Sequence, residues 1–224
     1  MSSSPQERII AIRSSLPSSV RLIAVTKQVT SDMMRHAYAA GIRDFGENRI
    51  QEAAIKQVEL QDLPDITWHF IGKVQSNKAK PAIEHFQWIH SVDSLKLAQR
   101  LDGLAQQLGR SPLVCLQVKI LSDPSKSGWT IPQLLEDLSQ LDECTNLQIN
   151  GLMTIPPLRL NDSETLNVFY RTRDLAKEIQ EKNLSNIKMH QLSMGMSGDY
   201  HLAIQAGATM VRLGTILFGE RLSP

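Results

Sequence analysis

Eight short apolar runs, each rich in β-branched residues, recur along the chain, and a longer amphipathic stretch separates each from the next. That alternation is the pattern of β/α units around a parallel sheet. The runs begin near Arg21, Asp44, Thr67, Gln87, Leu113, Leu147, Lys188 and Met210. Helices are predicted over Gln6–Leu16 ahead of the first run, then over Ser31–Ala40, Arg49–Leu60, Ser76–His85, Ser94–Leu108, Ile131–Leu141, Ser163–Lys182 and Gly198–Ala206. Eight such units close a barrel. A doubly wound sheet would use about five or six strands with a glycine fingerprint after the first, where this chain reads Thr26-Lys27-Gln28. The predicted fold is a (β/α)8 TIM barrel with a leading N-terminal helix. Such barrels run to about 250 residues, so residues 1–224 are expected to form a single domain with short connections. Gly41 and Gly207, each after an alanine and before a strand, are read as left-handed helix stops.

Composition narrows the function classes. Against 24 Lys+Arg stand 23 Asp+Glu, a formal charge of +1, which favours neither nucleic acid nor an anionic membrane surface as partner. The basic residues Arg171, Arg173, Lys177 and Lys182 interleave with Asp174, Glu178 and Glu181, the pattern of a solvated helix face. Cys115 and Cys144 are too few for a disulfide framework or a cysteine zinc site, and the six histidines form no HExxH pair. Neither a basic leader with an apolar core nor a membrane-length apolar run is present, so a cytoplasmic protein is expected.

In barrels of this type the reactive groups sit just past the strands. Lys27 ends the run Leu22-Ile23-Ala24-Val25, and alternation puts it on the inward face with Ile23 and Val25. It is either a strand-ending lysine with its ammonium in water, or a desolvated amine able to condense with an aldehyde. The loop Ser193-Met194-Gly195-Met196-Ser197-Gly198 and the turn Gly214-Thr215 follow the last two strands, where phosphate sites in these barrels are built from backbone N–H groups. Each could equally be a capped helix start. Arg212 points inward one alternation before Gly214 and needs a partner, either Glu47 or Asp93 in an ion pair or a ligand ring atom. An amine, an anion cradle and an arginine between them describe a pocket for a phosphorylated aldehyde. Pyridoxal 5′-phosphate (PLP) fits that description.

The same residues carry a resemblance. Ala24-Val25-Thr26-Lys27, Phe45-Gly46-Glu47-Asn48 with Gln51-Glu52, Trp68-His69-Phe70-Ile71-Gly72 and Gln75-Ser76-Asn77-Lys78 occur in order, followed by Ser125-Lys126-Ser127-Gly128, Gly151-Leu152-Met153-Thr154-Ile155-Pro156, Ser193-Met194-Gly195-Met196-Ser197 and Val211-Arg212-Leu213-Gly214-Thr215. The chain resembles the pyridoxal phosphate homeostasis protein family, whose fold is similar to the barrel domain of alanine racemase. That resemblance implies that Lys27 forms a covalent aldimine with PLP. It further implies that Ser197, Gly214 and Thr215, with Ser193 or Gly195, hold the phosphate and that Arg212 faces the pyridine nitrogen. Asn48 and Met153 would lie near the ring, and His69 and Lys126 would line the same mouth. Where relatives commonly carry Gln-Val-Asn, this chain has Gln117-Val118-Lys119, so an amide contact there is not expected.

The expected role is a PLP carrier or buffer in vitamin B6 homeostasis, a non-catalytic monomer that hands the cofactor to PLP-dependent apo-enzymes or answers to a regulatory protein. Arg212 is permanently charged and only donates, which favours an unprotonated ring nitrogen and a weak electron sink. Racemisation needs an acid/base on each face of the substrate. Tyr38 and Tyr170 fall in predicted outer helices, leaving Tyr200 near the mouth. The alternatives are a weak PLP-dependent racemase and a phosphosugar isomerase, the latter without a reducible adduct.

Overall fold

In the computed structural model, which describes residues 4–123 and 126–219, the apolar runs form eight parallel strands that pair in sequence order into a closed barrel. They are β1 (Arg21–Val25), β2 (Asp44–Glu47), β3 (Thr67–Phe70), β4 (Trp88–Val92), β5 (Leu113–Gln117), β6 (Gln148–Met153), β7 (Ile187–Ser193) and β8 (Met210–Leu213). The helices are α1 (Pro5–Ser15), α2 (Ser31–Ala39), α3 (Ile50–Glu59), α4 (Ala79–His85), α5 (Leu95–Leu108), α6 (Ile131–Asp142), α7 (Asp162–Glu181), α8 (Tyr200–Gln205) and the short α9 (Thr215–Phe218). A single 3-10 turn over Ser76–Lys78 leads into α4.

Local chemistry sets these boundaries. Asn161 caps α7 by accepting from the Glu164 amide while the Glu164 carboxylate accepts from the Asn161 amide, both at 2.9 Å. Val168, Phe169, Thr172, Leu175, Ala176 and Ile179 then recur at spacings of three and four and bury one face of the helix on the sheet. Each fully buried side chain of the Phe169 kind contributes about 1.5–3 kcal/mol over its exposed state. Gly41 and Gly207 have φ of 88° and 99°, the left-handed conformation that ends α2 and α8.

Two of the boundaries that differ from expectation have a clear local cause. The fifth run extends to Lys119 in the sequence, yet β5 stops at Gln117: the Gln117 carbonyl accepts from the Trp129 amide at 2.9 Å, and the Lys119 amide donates to the Trp129 carbonyl at 2.7 Å. The returning loop captures the strand end. The eighth helix was expected from Gly198, but the Met196 amide donates to Asp199 Oδ1 at 2.6 Å and closes a turn that delays α8 to Tyr200.

Outward residues such as Ala24, Phe45, Phe70, Leu116 and Leu213 join the main core between sheet and helices. Inside the barrel a second, smaller cluster comprises Ile23, Trp88, Cys115, Met153 and Met210. The rest of the lumen is polar: Asp44, His69, His90, Ser193 and Arg212 project into a space usually filled by branched aliphatics. No helix among the described residues is long and apolar enough to cross a membrane.

Candidate functional site

The strand ends converge on a cavity of about 430 Å3 at the C-terminal mouth of the barrel, within the range of small-molecule sites. The β1 end supplies Val25 and Lys27, the β2 end Asn48, the β3 end Ile71 and Gly72, and the β6 end Ile155. The last two strands supply Met196, Ser197 and Gly198, then Arg212, Gly214 and Thr215. A larger recess of about 530 Å3 lies between α2 and α3. Both of its basic residues already pair, Arg35 with Asp62 and Lys56 with Glu52.

The peptide that carries Lys27 is clamped from behind the sheet. The Thr26 hydroxyl donates to Glu47 Oε1 at 2.7 Å, Lys56 Nζ donates to the Thr26 carbonyl at 2.7 Å, and the Gln28 amide donates to Glu52 Oε1 at 2.5 Å. Lys56 Nζ ties both carboxylates together, at 2.7 Å to Glu47 and 2.6 Å to Glu52. Gln28 has a φ of 59°, a left-handed value that a residue with a side chain adopts at a cost, here offset by the Glu52 bond. Lys27 lies on the inward alternation with Ile23 and Val25, as expected, but it is exposed rather than desolvated, because it stands two residues beyond the end of β1.

At the ends of β7 and β8, the latter paired with β1, Ser197 Oγ accepts from the amides of Gly214 at 3.3 Å and Ile216 at 3.4 Å. Both bonds are long and therefore weak, so an anion oxygen can replace the hydroxyl at little cost. Thr215 is exposed beside them. Arg212 is 4% exposed, donates to Ser193 Oγ at 2.7 Å and to the Thr154 carbonyl at 3.1 Å, and through its backbone to the Gly195 carbonyl at 2.9 Å. Burial pulls its pKa down to about 10, with Asp199 opposing; it keeps its charge at neutral pH. Glu47 faces the far side of the sheet and pairs with Lys56, so Arg212 does not take it as counter-ion.

Asn48 Oδ1 is buried without a hydrogen-bond partner among the described residues. An orphaned acceptor on a cavity wall is the mark of a site built for something polar. Gly72 closes against it: a Cβ there would collide with the Asn48 carbonyl, and the Ser91 hydroxyl holds the Gly72 carbonyl in place.

The structure thus brings Lys27, Asn48, Ser197, Arg212, Gly214 and Thr215 together around one cavity. His69 is placed elsewhere. It is completely buried one inward position below Ile71, stacked on Trp88 and bonded to Asp44 and His90, so it is a lumen residue and not part of the mouth. Met153 likewise packs in the lumen cluster. The Ser193 hydroxyl and the Gly195 carbonyl serve Arg212. Lys126, whose amide donates to the Asp123 carbonyl, belongs to the loop after β5 and does not line the cavity; Ser125 lies outside the described residues. Sequence reasoning missed Lys56 and His90. The signal for His90 was its place two residues after Trp88 on one strand face, Trp88 being the residue in register with His69 on the neighbouring strand.

The alanine racemase N-terminal domain family model matches residues 4–222. A pyridoxal phosphate homeostasis protein from Synechocystis sp. is 52% identical over 211 residues, 94% of this chain and 96% of that one. Its namesake in Pseudomonas aeruginosa is 48% identical, over 92% and 86% of the two chains. Among solved structures, PipY of Synechococcus elongatus PCC7942 with PLP bound superposes with a TM-score of 0.92 at 53% identity, covering 96% of this chain and all of that one. An alanine racemase of Clostridium difficile shares the fold at a TM-score of 0.76 and 16% identity. The chain belongs to the pyridoxal phosphate homeostasis protein family, on the barrel fold of the alanine racemase N-terminal domain.

Proposed function

We propose that this chain binds PLP at the barrel mouth and serves B6 homeostasis by holding the cofactor without turning over a substrate. One observation carries the reading: a primary amine, a buried arginine and the weakly satisfied Gly214 amide border the same cavity, with the Ile216 amide sharing the Ser197 hydroxyl beside it. PLP supplies an electrophilic aldehyde, a ring nitrogen and a phosphate. Lys27 offers the amine for a covalent link, the Gly214 and Ile216 amides with Ser197 and Thr215 offer donors to the phosphate, and Arg212 offers a permanent donor to the ring nitrogen. Asn48 brings its unsatisfied Oδ1, an acceptor, to the ring substituents. PipY, at 53% identity, has been solved with PLP bound.

The case for holding over catalysis rests on the cavity wall. Its described residues include one amine and one arginine, but no tyrosine, histidine or carboxylate. A racemase requires a proton donor and acceptor on both substrate faces. Tyr200 is half-buried at the start of α8, edge-on to His201, and does not line the cavity. An exposed Lys27 at an open mouth suits exchange with apo-enzymes, and a monomer suffices for it. PLP-loaded protein incubated with a panel of L-amino acids should give no chiral inversion and no keto acid above buffer. Turnover that disappears in Lys27→Ala would overturn the carrier reading and favour the racemase one.

A further inference from the structure

The lumen polar residues form a single hydrogen-bonded line from the cavity floor to the opposite end of the barrel. Arg212 donates to Ser193 Oγ at 2.7 Å, Ser193 Oγ meets His90 Nδ1 at 2.7 Å, His90 Nε2 meets His69 Nδ1 at 2.9 Å, and His69 Nε2 meets Asp44 Oδ1 at 2.9 Å. Asp44 in turn stands 3.6 Å from Arg21 and opens on the N-terminal face. The line joins β8, β7, β4, β3 and β2, so it crosses the lumen rather than following any one element.

With both rings neutral, its direction follows from the carboxylate end and is compatible with the arginine end. A carboxylate only accepts, so His69 donates through Nε2 and its Nδ1 is bare; that nitrogen accepts from His90 Nε2, and His90 Nδ1 then accepts the Ser193 hydroxyl proton. From the other end, Arg212 only donates, and Ser193 Oγ has its lone pairs for Arg212 and its proton for His90. The two assignments agree at every atom. Both histidines are completely buried, and burial lowers their pKa, most strongly for His90, where His69, Arg212 and Arg21 add repulsion. Neutral rings are what the line requires.

We propose that Asp44, His69, His90 and Ser193 are positioning residues for Arg212, holding its guanidinium at the cavity floor through a polarised, neutral relay anchored on a carboxylate. A carboxylate touching Arg212 would neutralise it beside the ligand; with Asp44 four hydrogen bonds away and paired with Arg21 at 3.6 Å, neutral groups hold the guanidinium and the cavity still meets a charged donor. This rests on the PLP-binding reading above.

Two measurements test it. Long-range 1H–15N NMR of the ligand-free protein at pH 7 should show His69 and His90 as neutral Nε2–H tautomers; a protonated ring or an Nδ1–H tautomer at either position overturns the relay, with no substitution needed. In PLP titrations, Asp44→Asn and Ser193→Ala should each weaken binding about tenfold, the scale of one charge-linked hydrogen bond, and shift the absorbance maximum of the bound cofactor. Because the two residues do not touch, independent effects would multiply to about a hundredfold; one relay predicts that the double variant stays near tenfold. Additive losses, or single variants with unchanged affinity and spectrum, overturn the relay while leaving PLP binding intact. A wild-type protein that takes up no PLP overturns the binding reading and the role assigned here together, whatever the tautomers.

Discussion

Lys56→Met should lower the unfolding free energy by about 3–5 kcal/mol, the cost of leaving one half of a buried ion pair. Glu47 is completely buried, and Lys56 is 6% exposed. Glu47 Oε1 has Lys56 and Thr26 as partners, while Oε2 already has none among the described residues. Burial pushes the Glu47 carboxyl up from its ordinary value, against the lowering by the Lys56 and Thr26 hydrogen bonds. With the ammonium gone, that upward pressure is unopposed by charge. The variant's defect should therefore be greatest at neutral pH and shrink as pH falls and Glu47 takes up a proton. Urea unfolding at pH 7 and pH 5 reads both effects. A loss below about 1 kcal/mol, the size of a surface pair, would contradict the account of this cluster. The same substitution frees the Thr26 carbonyl, so the Lys27 peptide should also lose rigidity.

Acid should begin to destabilise the native protein as the pH falls below about 6.5. His69 and His90 are held neutral by burial, whereas an unfolded histidine titrates near pH 6.5. Above that pH both states are neutral and the histidines contribute no pH dependence. As pH falls below it the unfolded chain binds protons that the folded one refuses, and stability declines. The slope is about 1.4 kcal/mol per pH unit for each histidine, nearly 3 for the pair, until the folded rings protonate. Denaturation midpoints measured between pH 7.5 and 5.5 should be level in the upper part of that range and fall steeply in the lower part. A flat profile throughout would mean that the lumen rings carry charge in the native state.

Much of the architecture was legible because barrel strands buried on both faces read as apolar runs, and helices announce themselves by spacing and caps such as Asn161-Glu164. The candidate site was legible for a different reason: Lys27, Ser197, Gly214 and Thr215 follow strand ends, with Arg212 one inward alternation before Gly214, and in a barrel that position predicts a shared mouth. What sequence could not convey was depth. His69 is inward on β3 and Ile71 inward just past its end, yet only Ile71 reaches the cavity, because each alternation drops a side chain one layer. Nor could it convey pairing. Glu47 was weighed as a partner for Arg212, but it faces outward, and the lysine that claims it lies nine residues on, in α3. Arg212's own support comes from uncharged acceptors on β7 and after β6, a choice that only the closed barrel reveals.

The central claim is that one particular amine, Lys27, shares a cavity with an anion cradle and engages the aldehyde of PLP. Borohydride reduction of PLP-loaded protein followed by peptide mass spectrometry tests it directly. The account predicts a single phosphopyridoxyl adduct on the peptide containing Lys27, absent from Lys27→Ala, which should also lack the bound chromophore. An adduct on another lysine with Lys27 unmodified, or an equal yield from the Lys27→Ala protein, would contradict it.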